Sequence, residues 1–128
     1  MLNNVVLVGR IVDDPSLKNF EGDFVGSFIT LAVSRPFRNF ENKVETDFIR
    51  VVFWDGLAES ICSYTHKGDI IGVRGRLAMR KIEIKGAGNE EPKVYQTIDV
   101  IGERLSFISK YHKKTNNEIH NDNDEYGE

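Results

Sequence analysis

The chain has a single cysteine, Cys62, among its 128 residues. One thiol cannot build an internal disulfide framework, and such sparing use fits a reducing cytoplasm. His66, His112 and His120 are isolated, with no Cys or carboxylate at metal-ligand spacing. No metal and no cofactor are therefore expected. Long hydrophobic runs are missing too: Val5-Val6-Leu7-Val8 is far too short for a signal peptide or a membrane span. Net positive charge is also lacking, since the formal balance is −3. That would weigh against a nucleic-acid ligand if the charge were spread evenly along the chain. Residues 1–111, however, carry 15 Lys+Arg and 15 Asp+Glu, whereas residues 112–128 carry 2 and 5. The deficit belongs to the last stretch alone. What matters is whether the basic residues before it gather on one face.

A hydrophobic content of 40% and a charged content of 29% are ordinary for a globular protein, and the length suits one domain with a real core. The rest is organised around Thr46-Asp47-Phe48-Ile49-Arg50-Val51-Val52-Phe53-Trp54. Successive side chains of a strand point to opposite faces, so Ile49, Val51 and Phe53 share one side and Phe48, Arg50, Val52 and Trp54 the other. The first set suits a core. The second places two aromatic plates around a cation, which suits stacked bases and a phosphate. A strand buried on both faces would also fit this short apolar run.

Before that stretch, Leu2 to Val12 reads as a first strand, with Leu7 and Ile11 on one face and Val6, Val8 and Arg10 on the other. Asp13-Asp14-Pro15-Ser16 is a turn, Leu17 to Phe20 resumes the strand, and Glu21-Gly22-Asp23 is a hairpin tip. Phe24 to Arg35 is a second strand, in which Ile29, Leu31 and Val33 alternate with Phe28, Thr30, Ala32 and Ser34. Pro36 is expected to end it, and residues 38–43 to form a polar loop.

After Trp54 the period becomes helical, through Leu57, Ala58, Ile61, Cys62 and Tyr64. Asp55 or Gly56 is the expected cap, His66 and Lys67 the last turn, and Gly68 the C′ residue. Asp69 to Lys85 is a fourth strand, with Ile71, Val73, Gly75 and Leu77 inward and Arg74, Arg76, Ala78, Arg80 and Ile82 outward. Gly86 to Pro92 is a loop, and Lys93 to Ile108 is the fifth strand, with Gly102 marking a bulge. Five strands with one helix between the third and fourth fit an all-β, five-stranded Greek-key OB barrel. The expected layout is a folded domain over residues 1–109 and a disordered acidic tail over 110–128.

Arginines then accumulate on the outward side. Arg74, Arg76 and Arg80 project from the fourth strand and Arg50 from the third, while Arg35 and Arg38 bracket Phe37. Antiparallel pairing of the second, third and fourth strands would join arginines and aromatics into one face. Such a surface suits single-stranded nucleic acid, bound with little sequence preference. An OB-fold adaptor whose basic face serves a protein partner, of the primosome kind, is the alternative. Cys62 reads as a buried thiol, Gly86-Ala87-Gly88 as a hairpin tip, and nothing supports catalysis.

Several stretches resemble the bacterial single-stranded DNA-binding protein family, including its phage-borne members. They are Leu2-Asn3-Asn4-Val5-Val6-Leu7-Val8-Gly9-Arg10-Ile11 with Asp14-Pro15, Phe28 to Ser34, Thr46 to Trp54, Leu57-Ala58-Glu59, Tyr64, Lys67-Gly68-Asp69, and Val73-Arg74-Gly75-Arg76-Leu77. Together they run over about residues 1–108. The resemblance implies an OB domain that assembles as a homotetramer wrapped by single-stranded DNA, in the cytoplasm with the nucleoid, serving replication, recombination and repair. It implies stacking aromatics at Phe37, Phe48 and Trp54, with Ile82 standing where the family has a fourth. Basic contacts map onto Arg80, Arg50, Lys81 and Lys93, and Asn3 and Val5 fall in the segment that pairs protomers. The family tail ends in an acidic tip closing with Pro-Phe, which docks on replication and repair proteins. Here the last residues are acidic but carry no such pair, as in a short accessory or mobile-element member.

Overall fold

In a computed structural model, which describes residues 1–20 and 22–111, the period-two pattern of the first strand is realised directly. In β1 (Val5–Ile11), Leu7 is half-buried and Gly9 and Ile11 are buried, while Val6, Val8 and Arg10 stay exposed. Next come β2 (Lys18–Phe20), β3 (Phe24–Arg38), β4 (Val44–Trp54), α1 (Asp55–Tyr64), β5 (Ile70–Ile84) and β6 (Lys93–Ser109). The strands form one sheet in the order β1-β5-β6-β4-β3-β2, and pairing of β1 with β3 closes it into a ring. All neighbours are antiparallel except β4 and β6, which run parallel. This is the expected OB architecture with one addition. Lys18–Phe20 does not continue β1 but forms a short strand of its own, because its register is set by the tight Gly22-Asp23 turn, at φ 79° and 63°, against β3.

The ring encloses Ile11, Ile29, Leu31, Val51, Phe53, Ile71, Val73 and Val100, and α1 closes one end with Ala58 and Ile61. Full burial of a side chain such as Phe53 contributes about 1.5–3 kcal/mol. Its ring needs Gly102, where a Cβ would collide with it. Opposite, a Cβ on Gly75 would strike the Ile101 carbonyl. The expected bulge sits here: Gly75 faces Gly102 while Arg74 already faces Arg104, which leaves Glu103 as the extra residue.

Four local expectations need correction. β3 runs through Pro36 to Arg38, because the pairing with β4 is irregular between Ser34 and Arg38 and asks no N–H of the proline there. Helix α1 starts one residue earlier than expected: Trp54 is its N-cap, without a side-chain cap bond, and Asp55 opens it at φ 51°. It also ends before His66 and Lys67. Thr65 turns extended, and its N–H and hydroxyl both donate to the Ile61 carbonyl. Gly68, at φ 95°, instead serves the turn into β5, donating to the Ile11 carbonyl at 2.8 Å with the Tyr111 ring packed against it.

Leu77, expected inward, is 44% exposed. β4 meets β6 only at Val51–Val100 and Val52–Ile101, so past Leu77 the β5–β6 hairpin runs on with no core beneath it. At the other end of the hairpin, Lys110 and Tyr111 are docked rather than loose. Asp69, only 4% exposed, accepts the N–H groups of His66 at 2.9 Å and Tyr111 at 2.8 Å. The remainder of the expected tail lies outside the described residues.

Candidate nucleic-acid interface

Directly opposed residues of antiparallel strands share a face, so the register determines which side chains meet. On the outer face of β4, Trp54 stands opposite Gly26, Val52 opposite Phe28, Arg50 opposite Thr30 and Phe48 opposite Ala32. The row continues onto β2, with Lys18 opposite Gly26 and Phe20 opposite Phe24. Phe48 is 67% exposed, Phe37 62% and Trp54 40%, while Ile49 is half-buried and Val51 and Phe53 fully buried. Among the described residues nothing covers this face. The two-sided-burial alternative fails, except at Val52, which its neighbours enclose.

The aromatic rings are organised rather than scattered. Phe20 meets Trp54 edge to face, with centroids 5.3 Å apart. Gly26 lies beneath both: a Cβ there would stand 2.9 Å from Phe20 Cε2 and 2.9 Å from Trp54 Cζ3. Phe28 carries two cations, the Arg50 guanidinium 4.2 Å and the Lys18 ammonium 4.6 Å from its centroid. Cation–π contact holds these charges over the sheet while leaving their N–H groups free to donate.

The other basic residues are placed less uniformly. Of the expected antiparallel pairings, that of β3 with β4 is present, but β4 and β5 are not neighbours, since β6 lies between them. Arg76 faces Ile101, itself beside Val52, and so borders the aromatic face, with Glu103 at 3.5 Å. Arg74 faces Val6 of β1 and Arg104 of β6, further round the ring. Arg80 donates to buried Asp99 at 2.7 Å. Arg10 donates to the Gly68 carbonyl at 2.8 Å and Arg38 to the Asn42 carbonyl at 3.0 Å.

Arg35 is held by Asp47 at 2.9 Å and Glu45 at 3.3 Å. The hydrogen bond from Arg35 keeps the Asp47 carboxyl below its ordinary value, and the same bond raises Arg35. Lys81 lies opposite Gln96 and Lys93 opposite Ile84, which puts them on opposite faces of the β5–β6 hairpin.

Three features were not singled out by sequence reasoning. Phe20 and Lys18 lie in a three-residue strand too short to show a period. Phe28 was assigned to the outer set but not to the cluster, because only the register brings it beside Arg50. Tyr95, 50% exposed, stands directly opposite Ile82, where an aromatic was expected and missing.

Two residues before β1, the Asn3 side chain clasps the Leu77 backbone, donating to its carbonyl at 2.9 Å and accepting from its N–H at 2.8 Å. Val5 packs against the core opposite Gly75, whereas Val6 and Val8 are exposed. Among the described residues, Val5 to Gly9 pair with β5 alone, and the strand meets β3 at Arg10 and Ile11. No helix of the described residues is long and apolar enough to cross a membrane. The described residues contain no group of three His, Cys, Asp or Glu side chains able to hold a metal ion.

The profile of the Single-strand binding protein family matches residues 2–108. The chain is 39% identical over 108 residues to Single-stranded DNA-binding protein 3 of Listeria innocua, which covers 84% of this chain and 64% of that protein. It is 33% identical over 108 residues to Single-stranded DNA-binding protein B of Bacillus subtilis, covering 84% of this chain and 91% of that one. It spans about 61–64% of the length of several other curated relatives. The solved structure of the Plasmodium falciparum SSB complex with ssDNA superposes with a TM-score of 0.67 at 28% identity, over 85% of this chain and 97% of that one. With a closed sheet and one helix among the described residues, and a family match over residues 2–108, the chain belongs to the single-strand binding protein family.

Proposed function

We propose that this protein binds single-stranded DNA on the outer face of β2, β3 and β4, without catalysis, and protects it during replication, recombination and repair. The observation that carries the reading is the open row of Phe20, Trp54, Phe28 and Phe48 with Arg50 and Lys18 above it. Bases stack on the exposed rings while the cations meet phosphates. Each stacked base contributes about 1–3 kcal/mol, and every base has a π-face, so the contact is broadly tolerant of sequence. Phe37, Arg38 and the Arg76 side extend the path at its two ends. Arg35 and Arg80, already engaged by carboxylates, add less field than their charge suggests.

The β1 segment with one unpaired side supports assembly with a second copy, and a homotetramer in the cytoplasm is the state we infer from family membership. Residues 1–109 act as the DNA-binding domain. The acidic stretch after it competes with phosphate for the basic face. Removing residues 112–128 therefore leaves DNA affinity equal or higher.

The test is competition between labelled oligo-dT and oligo-rU, read by anisotropy alongside solution mass. Tight, salt-sensitive binding of dT by an oligomer supports the reading; failure to bind either strand at low salt rejects it.

A further inference from the structure

The outer face continues past β3 onto β1. Arg10 of β1 stands opposite Ala32 of β3, and Ala32 stands opposite Phe48 of β4. All three side chains point outward, since their neighbours Ile11, Leu31 and Ile49 face the core. Ala32 brings only a methyl group to this row, so no side chain stands between the Phe48 ring and the Arg10 guanidinium. The Cα atoms of Phe48 and Arg10 are two strand spacings apart, about 10 Å. An open nucleic-acid strand crosses that distance within a nucleotide or two.

On the far side of Ala32 the row opens into a cleft of about 380 Å³, lined by Arg10, Val12, Ala32, Lys67, Gly68 and Tyr111. Tyr111 is held at two points. Its N–H donates to the buried Asp69 carboxylate at 2.8 Å, and its ring lies over Gly68, where a Cβ would stand 2.8 Å from Tyr111 Cγ. The ring is still 59% exposed. Arg10 is steadied by one bond, from Nη1 to the Gly68 carbonyl at 2.8 Å, which leaves its other N–H groups to donate. Lys67 is placed by its backbone, whose N–H donates to Asp14 at 2.7 Å. Among the described residues no carboxylate lies within ion-pairing distance of the Arg10 or Lys67 side chain, in contrast to Arg35, Arg76 and Arg80.

We infer that this cleft is a further nucleotide subsite, in which a strand leaving Phe48 passes over Ala32, stacks a base on Tyr111 and sets a phosphate against Arg10 and Lys67. The inference rests on the strand-binding reading above and adds one step to the path. An exposed ring beside unpaired cations is the combination that holds single strands, and it repeats at β1 what Phe28, Arg50 and Lys18 offer on β2, β3 and β4. The family match stops at residue 108, so Tyr111 is a plate that family membership does not supply.

The test measures oligo-dT affinity by anisotropy at several salt concentrations, for the intact protein and for Tyr111→Ala, Tyr111→Phe and Lys67→Gln. Tyr111→Ala keeps the N–H that Asp69 accepts, so its melting temperature should stay where it is. Its affinity should fall about tenfold with the salt dependence unchanged, as for one lost stacked base. Tyr111→Phe, which keeps the ring, should bind as the intact protein does. Lys67→Gln should bind more weakly, with a salt dependence shallower by about one ion. Unchanged affinity in Tyr111→Ala, a loss that Tyr111→Phe shares, or a loss matched by a lower melting temperature overturns the inference. An unchanged salt dependence in Lys67→Gln overturns it too. In each case quenching of Trp54 emission by oligo-dT keeps the strand-binding reading intact. If the intact protein binds no oligo-dT at low salt, that reading falls and the subsite with it.

Discussion

Phe20 and Trp54 come from strands that are not neighbours, yet their rings meet at 5.3 Å with an interplanar angle of 62°. The contact is possible only because β3 places Gly26 between them, where a side chain would occupy the space of both rings. Gly26→Ala should therefore separate the rings. The expected cost is about 1 kcal/mol in stability, typical of overpacking, with a larger loss in DNA affinity and a shifted Trp54 emission. Thermal denaturation and oligo-dT anisotropy on the same variant separate the two effects.

Tyr95 stands across from Ile82 on the exposed β5–β6 hairpin, in the place where one aromatic plate was expected to be absent. If it supplies that plate from the neighbouring strand, Tyr95→Ala should weaken oligo-dT binding by about 1–3 kcal/mol. Its melting temperature should stay where it is, since the ring is half exposed and no core lies under it.

Asp47 draws Arg35 away from the ligand. Replacing it by Asn removes one negative charge and loosens a guanidinium that Glu45 still holds at 3.3 Å, so Asp47→Asn should raise DNA affinity and steepen its salt dependence by at most about one ion. The pH dependence has the same sign. The folded Asp47 pKa is depressed, so its link to Arg35 is present above the ordinary carboxylate value and is lost as pH falls through the lower folded value. Both partners are solvent-exposed, and stability should hardly respond. Titrations at several salt concentrations, at neutral pH and in the acid range, check both statements.

Asp69 is the buried fastening of the C-terminal end of β6, through the His66 and Tyr111 N–H groups and Lys110 Nζ at 3.9 Å. Asp69→Ala leaves two donors without a partner. The expected loss is about 3 kcal/mol. The melting temperature should drop by roughly 10 °C.

The alternation of Ile49, Val51 and Phe53 was enough to place the core face of β4, and the change of period after Trp54 was enough to find α1. Exposure of Phe48 and Trp54 was not decided by alternation, because a strand covered on both sides has the same pattern. Register was the missing quantity. It joins Phe20, Phe28 and Lys18 to Trp54 and Arg50, and it inserts β6 between the arginines of β4 and β5. Ion pairing was equally invisible: Arg35 and Arg80 read as free cations until the carboxylates of Asp47 and Asp99 came within reach. The ends of β3 and α1 were misplaced because a bulge can absorb Pro36, and because Thr65 closes the helix before any glycine is needed.

Trp54 is the one tryptophan of the chain, so its emission reports the proposed face without interference. Titrating the intact protein with oligo-dT at low salt should quench that emission saturably, and raising the salt should restore it as counterions displace the strand. An emission that stays unchanged throughout the low-salt titration would contradict the account.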